Sequence, residues 1–401
     1  MTQTPLPESK MPVVPPRILL GPGPTMAHPR VLQAMMSNMI GYLDPDFMLI
    51  LDEVSELLKR IFQTQEGMTM ALSGTGSAGM EAGINSLLEP DETVIMCIYG
   101  FFCERMVEMG SRVGANVVPL RADWGRPFPV EMLEEELKKH PKVKMVTAVH
   151  AETSTGIRQP LEDLSRLTRE HDALFMVDAV TSLGGNEVAV DEWGIDYCYS
   201  ATQKCLACPP GLSPAALSPR ALDAAKNRQR KPVSWYLDLA LNANYWGFDH
   251  TYHHTAPISM ILGLREGLRI VLEEGLEARF ARHHRNAEAL WAGLEALGME
   301  MVAPEEFRLD QITPVWIPRG VNDDQVRGML LREFSIEIGK GLGDFAGKVW
   351  RIGLMGESSK HEYVLAILSA LEDILPRVGF EVASGAGVAA ASKTAGRRFD
   401  D

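Results

Sequence analysis

Several features that would assign this chain to a class at once are missing from it. No run of Lys or Arg gathers into a patch, and 39 basic against 53 acidic side chains leave a formal net charge of −14. A nucleic-acid backbone is bound by clustered positive charge, so no nucleic-acid partner is expected. No apolar run approaches the ~20 residues that a membrane-spanning helix requires, and the opening MTQTPLPESKMPVVPPR has neither the basic nor the apolar region of a secretory signal. Cysteine is scarce. Cys97, Cys103, Cys198, Cys205 and Cys208 form an odd, widely spaced set, the pattern of reduced thiols in a soluble cytoplasmic protein rather than of a disulfide framework. Cys205 and Cys208 make a C-x-x-C pair, but no second pair of Cys or His stands at a spacing that would complete a structural zinc site. His253-His254 and His283-His284 are neighbours whose side chains point in different directions. No metal is expected.

What is present is apolar material in a regular order. At 401 residues and 46% hydrophobic composition, the chain can bury a large core and is long enough for two domains. Short apolar runs alternate with longer amphipathic ones: ETVIMCIY, RMVEMGSRVG, VKMVTAVH, LEDLSRLTREH, ALFMVDAV. Such alternation predicts an α/β fold, a large domain whose mostly parallel sheet is flanked by helices. The runs place Val, Ile and Met at successive positions, as in strands buried on both faces. After a helical stretch over about 261–297, the pattern ITPVWIP, DDQVRGMLLREF, VWRIGLMG, HEYVLAILSALEDIL predicts a smaller C-terminal α+β domain. The expected organisation is an arm over 1–16, a large domain over 17–275, a small domain over 276–382 and a disordered tail over 383–401, whose Ala, Gly and Ser show no apolar period.

Four places within this frame could carry chemistry. Gly74-Thr75-Gly76-Ser77-Ala78-Gly79 matches G-x-G-x-x-G and precedes a helix-like segment, so its backbone N–H groups and the helix end could hold a phosphate. It could equally serve helix packing. A dinucleotide site also needs an acid after the next strand, and that strand ends in Tyr99-Gly100. Asp178 follows five apolar residues at the carboxyl end of a buried strand, where ligands bind in open α/β sheets. A buried carboxylate needs a partner, such as a protonated ring nitrogen, unless it only caps the next turn. Lys204 lies between a short strand and the rigid Pro209-Pro210-Gly211; if desolvated there, its amine is more available as a nucleophile than that of a surface lysine. Arg351 lies in the apolar strand VWRIG and requires either a bound anion, such as a substrate carboxylate, or an internal ion pair.

The order of these motifs, LLGPGPT, SGTGSAGMEA, HAETSTG, VDAVTSLGG, SATQKCLACPPG, YHHTAP and RIGLMG, resembles the class V (fold type I) pyridoxal 5'-phosphate aminotransferases, and among them the alanine–glyoxylate and serine–pyruvate family. The resemblance runs from about Leu19 to Leu375. It implies that Lys204 carries the cofactor as a Schiff base and then shuttles the substrate proton, that Asp178 pairs with the pyridine nitrogen, and that Val180 lies against the ring. It places the phosphate on Thr75, Gly76 and Ser77 with help from Gln203, puts Thr153 near the ring hydroxyl, and gives the substrate carboxylate to Arg351. Backbone around Gly23 and Tyr42 would line the substrate pocket. Tyr252 and Thr255 would reach the phosphate of a neighbouring subunit, so a homodimer is implied. Phe102 stands where animal members have a ring-stacking tryptophan, and Ser77 where they have a histidine; both can still stack or donate.

The implied reaction moves an amino group from a small amino acid, alanine first, to glyoxylate, with both substrates using one pocket in turn. Serine or ureidoglycine as donor is the nearest alternative. A cysteine desulfurase would need a cysteine late in the chain, and none follows Cys208. A non-catalytic cofactor-binding protein has no need of Lys204, Asp178 and Arg351 together. The terminal Arg-Phe-Asp-Asp is no peroxisomal address.

Overall fold

The computed structural model describes residues 14–396. Its larger unit is built on a seven-stranded sheet in the spatial order Met68–Ser73, Leu212–Leu217, Tyr197–Tyr199, Leu174–Asp178, Met145–Val149, Thr93–Ile98, Asn116–Arg121. Leu212–Leu217 runs antiparallel to both of its neighbours, and the remaining pairs are parallel. The central strands MVTAV and LFMVD are buried at every position. Apolar residues follow one another in them because helices cover both faces of the sheet.

Two helices begin at the carboxyl end of this sheet, and both bear on the site. Gly76–Leu87 follows strand Met68–Ser73, and Phe101–Val113 follows strand Thr93–Ile98. The first packs unusually close to the sheet. A Cβ at Gly79 would fall 2.1 Å from Ser213 Oγ, so the last glycine of the Gly74–Gly79 loop does serve packing.

The smaller unit has a four-stranded sheet ordered Ile18–Leu20, Ile336–Lys340, Val349–Gly353, Ile312–Trp316, and a second apolar core around Leu20, Leu294, Trp350, Ile352 and Leu371. Three expectations change here. Residues 17 onward were assigned to the large domain, but Ile18 pairs in parallel register with Ile336, and Leu20 with Ile338. Strand Ile18–Leu20 therefore belongs to the small unit, and the chain crosses from it to the large one through Gly21–Thr25. The helical stretch expected over 261–297 breaks at Gly275 (φ +85°) into Ile258–Glu274 and Leu276–Ala296.

The expected disordered tail holds a helix, Ala386–Gly396, in which Ala391 is fully buried. The physical reason is close approach of small side chains. A Cβ at Gly387 would already lie 3.0 Å from Leu297 Cγ, and Glu372 accepts from the N–H groups of Gly385, Gly387 and Val388 at the helix start. Alanine is the best helix former and buries well against a groove this tight. Residues 1–13 of the expected arm and 397–401 of the expected tail lie outside the described residues.

Candidate active site

A recess opens at the carboxyl end of the larger sheet. Thr75, Gly76, Ser77, Phe102, Thr153, Asp178, Val180, Gln203 and Lys204, all singled out in the sequence, line it together. Asp178 ends its strand and stands in register with Tyr199 on the neighbouring one. Tyr199 OH donates to Asp178 Oδ2 at 2.5 Å, and Val180 N–H donates to Oδ1 at 2.8 Å. The carboxylate thus caps the following turn and also faces the recess. Burial pushes its pKa up to about 6, against the lowering pull of those two hydrogen bonds.

Lys204 is 9% exposed and its amine donates to the carbonyl of Pro22. Burial, and then the charge of Arg351, bring its pKa down to about 8. Gly23 is what lets the crossover strand pass: a Cβ there would lie 2.8 Å from Lys204 Nζ. Thr25 N–H donates to the Gln203 carbonyl at 3.0 Å. The segment leaving the small sheet is in this way tied to the lysine loop on both sides of Gly23.

Arg351 projects from the small sheet with 5% exposure. Its Nε donates to the Lys340 carbonyl at 2.8 Å, and among the described residues it has no carboxylate in salt-bridge range. The internal ion pair left open by the sequence is absent there. Burial lowers its pKa to about 10, so it remains a cation throughout the neutral range. Tyr252 and Thr255 do not line the recess of their own chain. Both are exposed, and the Tyr252 ring packs 5.2 Å from that of Tyr42.

Three residues of this site went unremarked in the sequence. Tyr199 could have been found only from the register that sets it beside Asp178. Glu152 lies inside the quoted HAETSTG and is fully buried. Its carboxylate accepts from Ser154 N–H and Oγ at 2.9 and 2.7 Å, and from Phe102 N–H at 3.0 Å, which fixes the start of helix Phe101–Val113 and with it the Phe102 ring. Burial raises its pKa. Arg105 lines the recess three residues after Phe102, one helical turn on.

The histidines and the C-x-x-C pair serve packing. His253 stacks on Trp235 at 4.2 Å, His254 Nε2 meets Ser73 Oγ at 2.6 Å, and His283 Nε2 accepts from Gly356 N–H at 2.9 Å. Cys205 and Cys208 are buried free thiols.

Comparison with known proteins gives this geometry a lineage. The family model described as aminotransferase class-V matches residues 18–344. The (S)-ureidoglycine–glyoxylate transaminase of Bacillus subtilis (strain 168) is 41% identical over 393 residues, 94% of each chain. An alanine–glyoxylate aminotransferase of Drosophila melanogaster is 40% identical over 368 residues, 90% of this chain and 93% of its own. The crystal structure of an alanine–glyoxylate aminotransferase from Nostoc sp. superposes with a TM-score of 0.89 at 46% identity, covering 92% of this chain and 97% of that one. The two units described above are those of the fold type I pyridoxal phosphate enzymes. With the family model and full-length relatives in agreement, the chain belongs to the class V aminotransferases.

Proposed function

We propose that this aminotransferase moves the amino group of a small amino acid, alanine first, to glyoxylate, giving pyruvate and glycine, and that it works as a homodimer. The observation that carries the reading is the placement of Arg351, a buried guanidinium without a carboxylate partner among the described residues, so close to Lys204 that its charge depresses the lysine pKa. A 2-amino or 2-oxo acid presents a carboxylate next to its reacting carbon, and a guanidinium near the lysine amine suits that carboxylate. Glyoxylate appears in the names of both the Bacillus and the Drosophila relatives.

The residues present fit pyridoxal 5'-phosphate, the cofactor of the family. Thr153 Oγ1 is buried without a hydrogen-bond partner in the recess wall, and a buried hydroxyl of that kind calls for a ligand. Asp178 would hold the ring nitrogen, Val180 and Phe102 would bracket the ring, Thr153 would meet the ring hydroxyl, and Thr75, Gly76, Ser77 and Gln203 would take the phosphate. When bound, the cofactor supplies a carbonyl that condenses with amines and a ring that withdraws electrons from the adjoining carbon. Arg351 orients the substrate by its carboxylate. The Lys204 amine, whose neutral form is made more available by a pKa of about 8, takes a proton from the substrate α-carbon and returns it later in the transfer. The Asp178 carboxylate remains charged to stabilise the positive ring. Each amino acid leaves as its 2-oxo acid before the acceptor enters the same pocket, so the two half-reactions balance separately.

Serine and ureidoglycine remain as rival donors, the latter because of the Bacillus relative. A donor panel decides: alanine with glyoxylate should give parallel-line (ping-pong) kinetics, and failure of alanine to drive any half-reaction would overturn the donor assignment. Replacing Arg351 with alanine should raise KM for donor and acceptor by about 100-fold, the worth of a charged hydrogen-bonded pair, with the cofactor spectrum unchanged. A KM that stays put would remove Arg351 from the carboxylate's reach.

The dimer is supported by apolar surface that a monomer would leave wet. Leu32, Met36, Met39 and Leu43, and then Val233, Trp235, Phe248 and Tyr252, are exposed, and the ring of Tyr42, beside Leu43, packs 5.2 Å from that of Tyr252 across the two stretches. Exposed patches of this kind mark interfaces. Light scattering should return twice the 44.2 kDa of the chain; a mass of one chain overturns the dimer.

A further inference from the structure

The phosphate end of the recess has donors but, in the residues assigned to it so far, no full charge. Ser77 and the backbone of Gly76 stand at the start of helix Gly76–Leu87, and Gln203 is a neutral amide. A phosphate monoester carries about −1.5 to −2 charges at neutral pH, whereas a helix N-terminus offers the equivalent of roughly half a positive charge. Lys204 is engaged with the carbonyl end of the cofactor. Among the described residues that line the recess, the other cation is Arg105.

Its geometry is that of a charge held ready. Arg105 Nη1 donates to Ser77 Oγ at 2.9 Å, which sets the guanidinium against the first turn of the phosphate helix. Its carbon Cζ lies 5.0 Å from the centroid of the Phe102 ring and 5.7 Å from that of Phe101. Glu104, the acid beside it in sequence, is taken by Arg121 at 2.9 Å, and Arg112 further along the helix is paired with Glu108 at 2.7 Å. Arg105, by contrast, forms no salt bridge among the described residues. A guanidinium has five N–H donors in a planar fork suited to phosphate oxygens, and most of these are unspent.

We propose that Arg105 is the charge partner of the cofactor phosphate, closing the cradle beside Ser77. The rival role is mechanical: a cation–π brace that holds the Phe102 ring in place. The two differ in what they demand of the ligand, since pyridoxal has the ring and the aldehyde but no phosphate. The inference rests on the cofactor assignment.

The test uses the full-length protein stripped of cofactor and titrated with pyridoxal 5'-phosphate and with pyridoxal, each followed by the absorbance change on capture by Lys204. Arg105→Gln should weaken pyridoxal 5'-phosphate by about 10- to 100-fold and leave pyridoxal unchanged, while Arg105→Lys, which keeps the point charge, should recover most of the loss. Phe102→Leu should weaken both ligands equally. Equal losses for the two ligands in Arg105→Gln, or no loss, would overturn the proposal. The wild-type chain gives an independent reading: inorganic phosphate should protect Arg105 from the arginine reagent phenylglyoxal, followed by peptide mass, and absence of protection counts against it. A wild-type protein that captures neither aldehyde would overturn the cofactor assignment as well; capture of both with affinities indifferent to Arg105 overturns this proposal alone.

Discussion

Lys204→Ala should abolish transamination, by about 10⁴-fold or more, because it removes at once the nucleophile and the group that moves the substrate proton. The fold should survive it. The lysine amine gives its hydrogen bond to a backbone carbonyl, Pro22, and forms no salt bridge among the described residues; its burial is a cost to the folded chain, as the lowering of its pKa from 10.5 to about 8 records. The side chain also borders an open recess, so truncating it leaves little new cavity. Loss of activity without loss of melting temperature is therefore the expected pair of results, and a variant that unfolds would remove the claim that the lysine is there for chemistry. The wild-type protein offers a companion measurement. Only the neutral amine attacks an aldehyde, so the rate of aldehyde capture should rise with pH about a midpoint near 8. Burial and the Arg351 charge both disfavour the protonated form, so Arg351→Ala should move that midpoint upward. A midpoint at the ordinary lysine value in the wild type would show that burial does not tune this amine.

The chemistry was legible in the sequence to the extent that a strand end announces it. Asp178 after LFMV and Lys204 before Pro-Pro-Gly could be placed because a continuous apolar run fixes a buried strand, and the topology of such sheets sends ligands to its carboxyl end. Ser77 and Gly76 were legible from glycine spacing. Tyr199 was not: nothing local to YCYS says that its ring will stand opposite Asp178, since that depends on the register between two successive strands that places residues 21 positions apart side by side. Arg105 was hidden differently. In an amphipathic stretch such as RMVEMGSRVG its leading arginine reads as solvated surface, and only the turn of the helix that also carries Phe102 brings it into the recess.

The errors of organisation have the same origin. ILL at residues 18–20 is too short to declare its sheet, and its parallel partner lies over 300 positions later. Local pattern could not carry that pairing. The segment after Ala383 looked unstructured because burial was sought in large apolar side chains. Ala391 and Gly387 pack by being small, which leaves no period for a hydrophobicity pattern to detect.

Asp178→Asn should separate catalysis from stability in opposite directions. The carboxylate is 3% exposed and burial raises its pKa to about 6. The folded protein thus holds this proton more tightly than the unfolded chain, in which an aspartate titrates near 3.8. Where the folded state binds more protons, stability falls as pH rises. The cofactor-stripped protein should therefore lose stability between about pH 4 and pH 6, and bear the full cost, at most about 3 kcal/mol, above that window. Asparagine escapes the cost without losing its neighbours: Oδ1 can still accept from Val180 N–H, and Nδ2 can donate to Tyr199, whose hydroxyl turns from donor to acceptor. Near pH 7.5 the stripped variant should melt at a higher temperature than the stripped wild type, and near pH 4 the difference should vanish. The same change takes away the charge that would hold the ring nitrogen protonated. Removing one partner of a buried ion pair costs about 3–5 kcal/mol, so kcat should fall by about 10²- to 10⁴-fold while the Lys204 amine still captures the cofactor. Calorimetry of the stripped proteins across pH 4–8, beside single-turnover rates with alanine, reads both effects. A variant that keeps its rate would release Asp178 from the ring, and one that melts lower at pH 7.5 would mean that the Tyr199 and Val180 contacts depend on the charge itself.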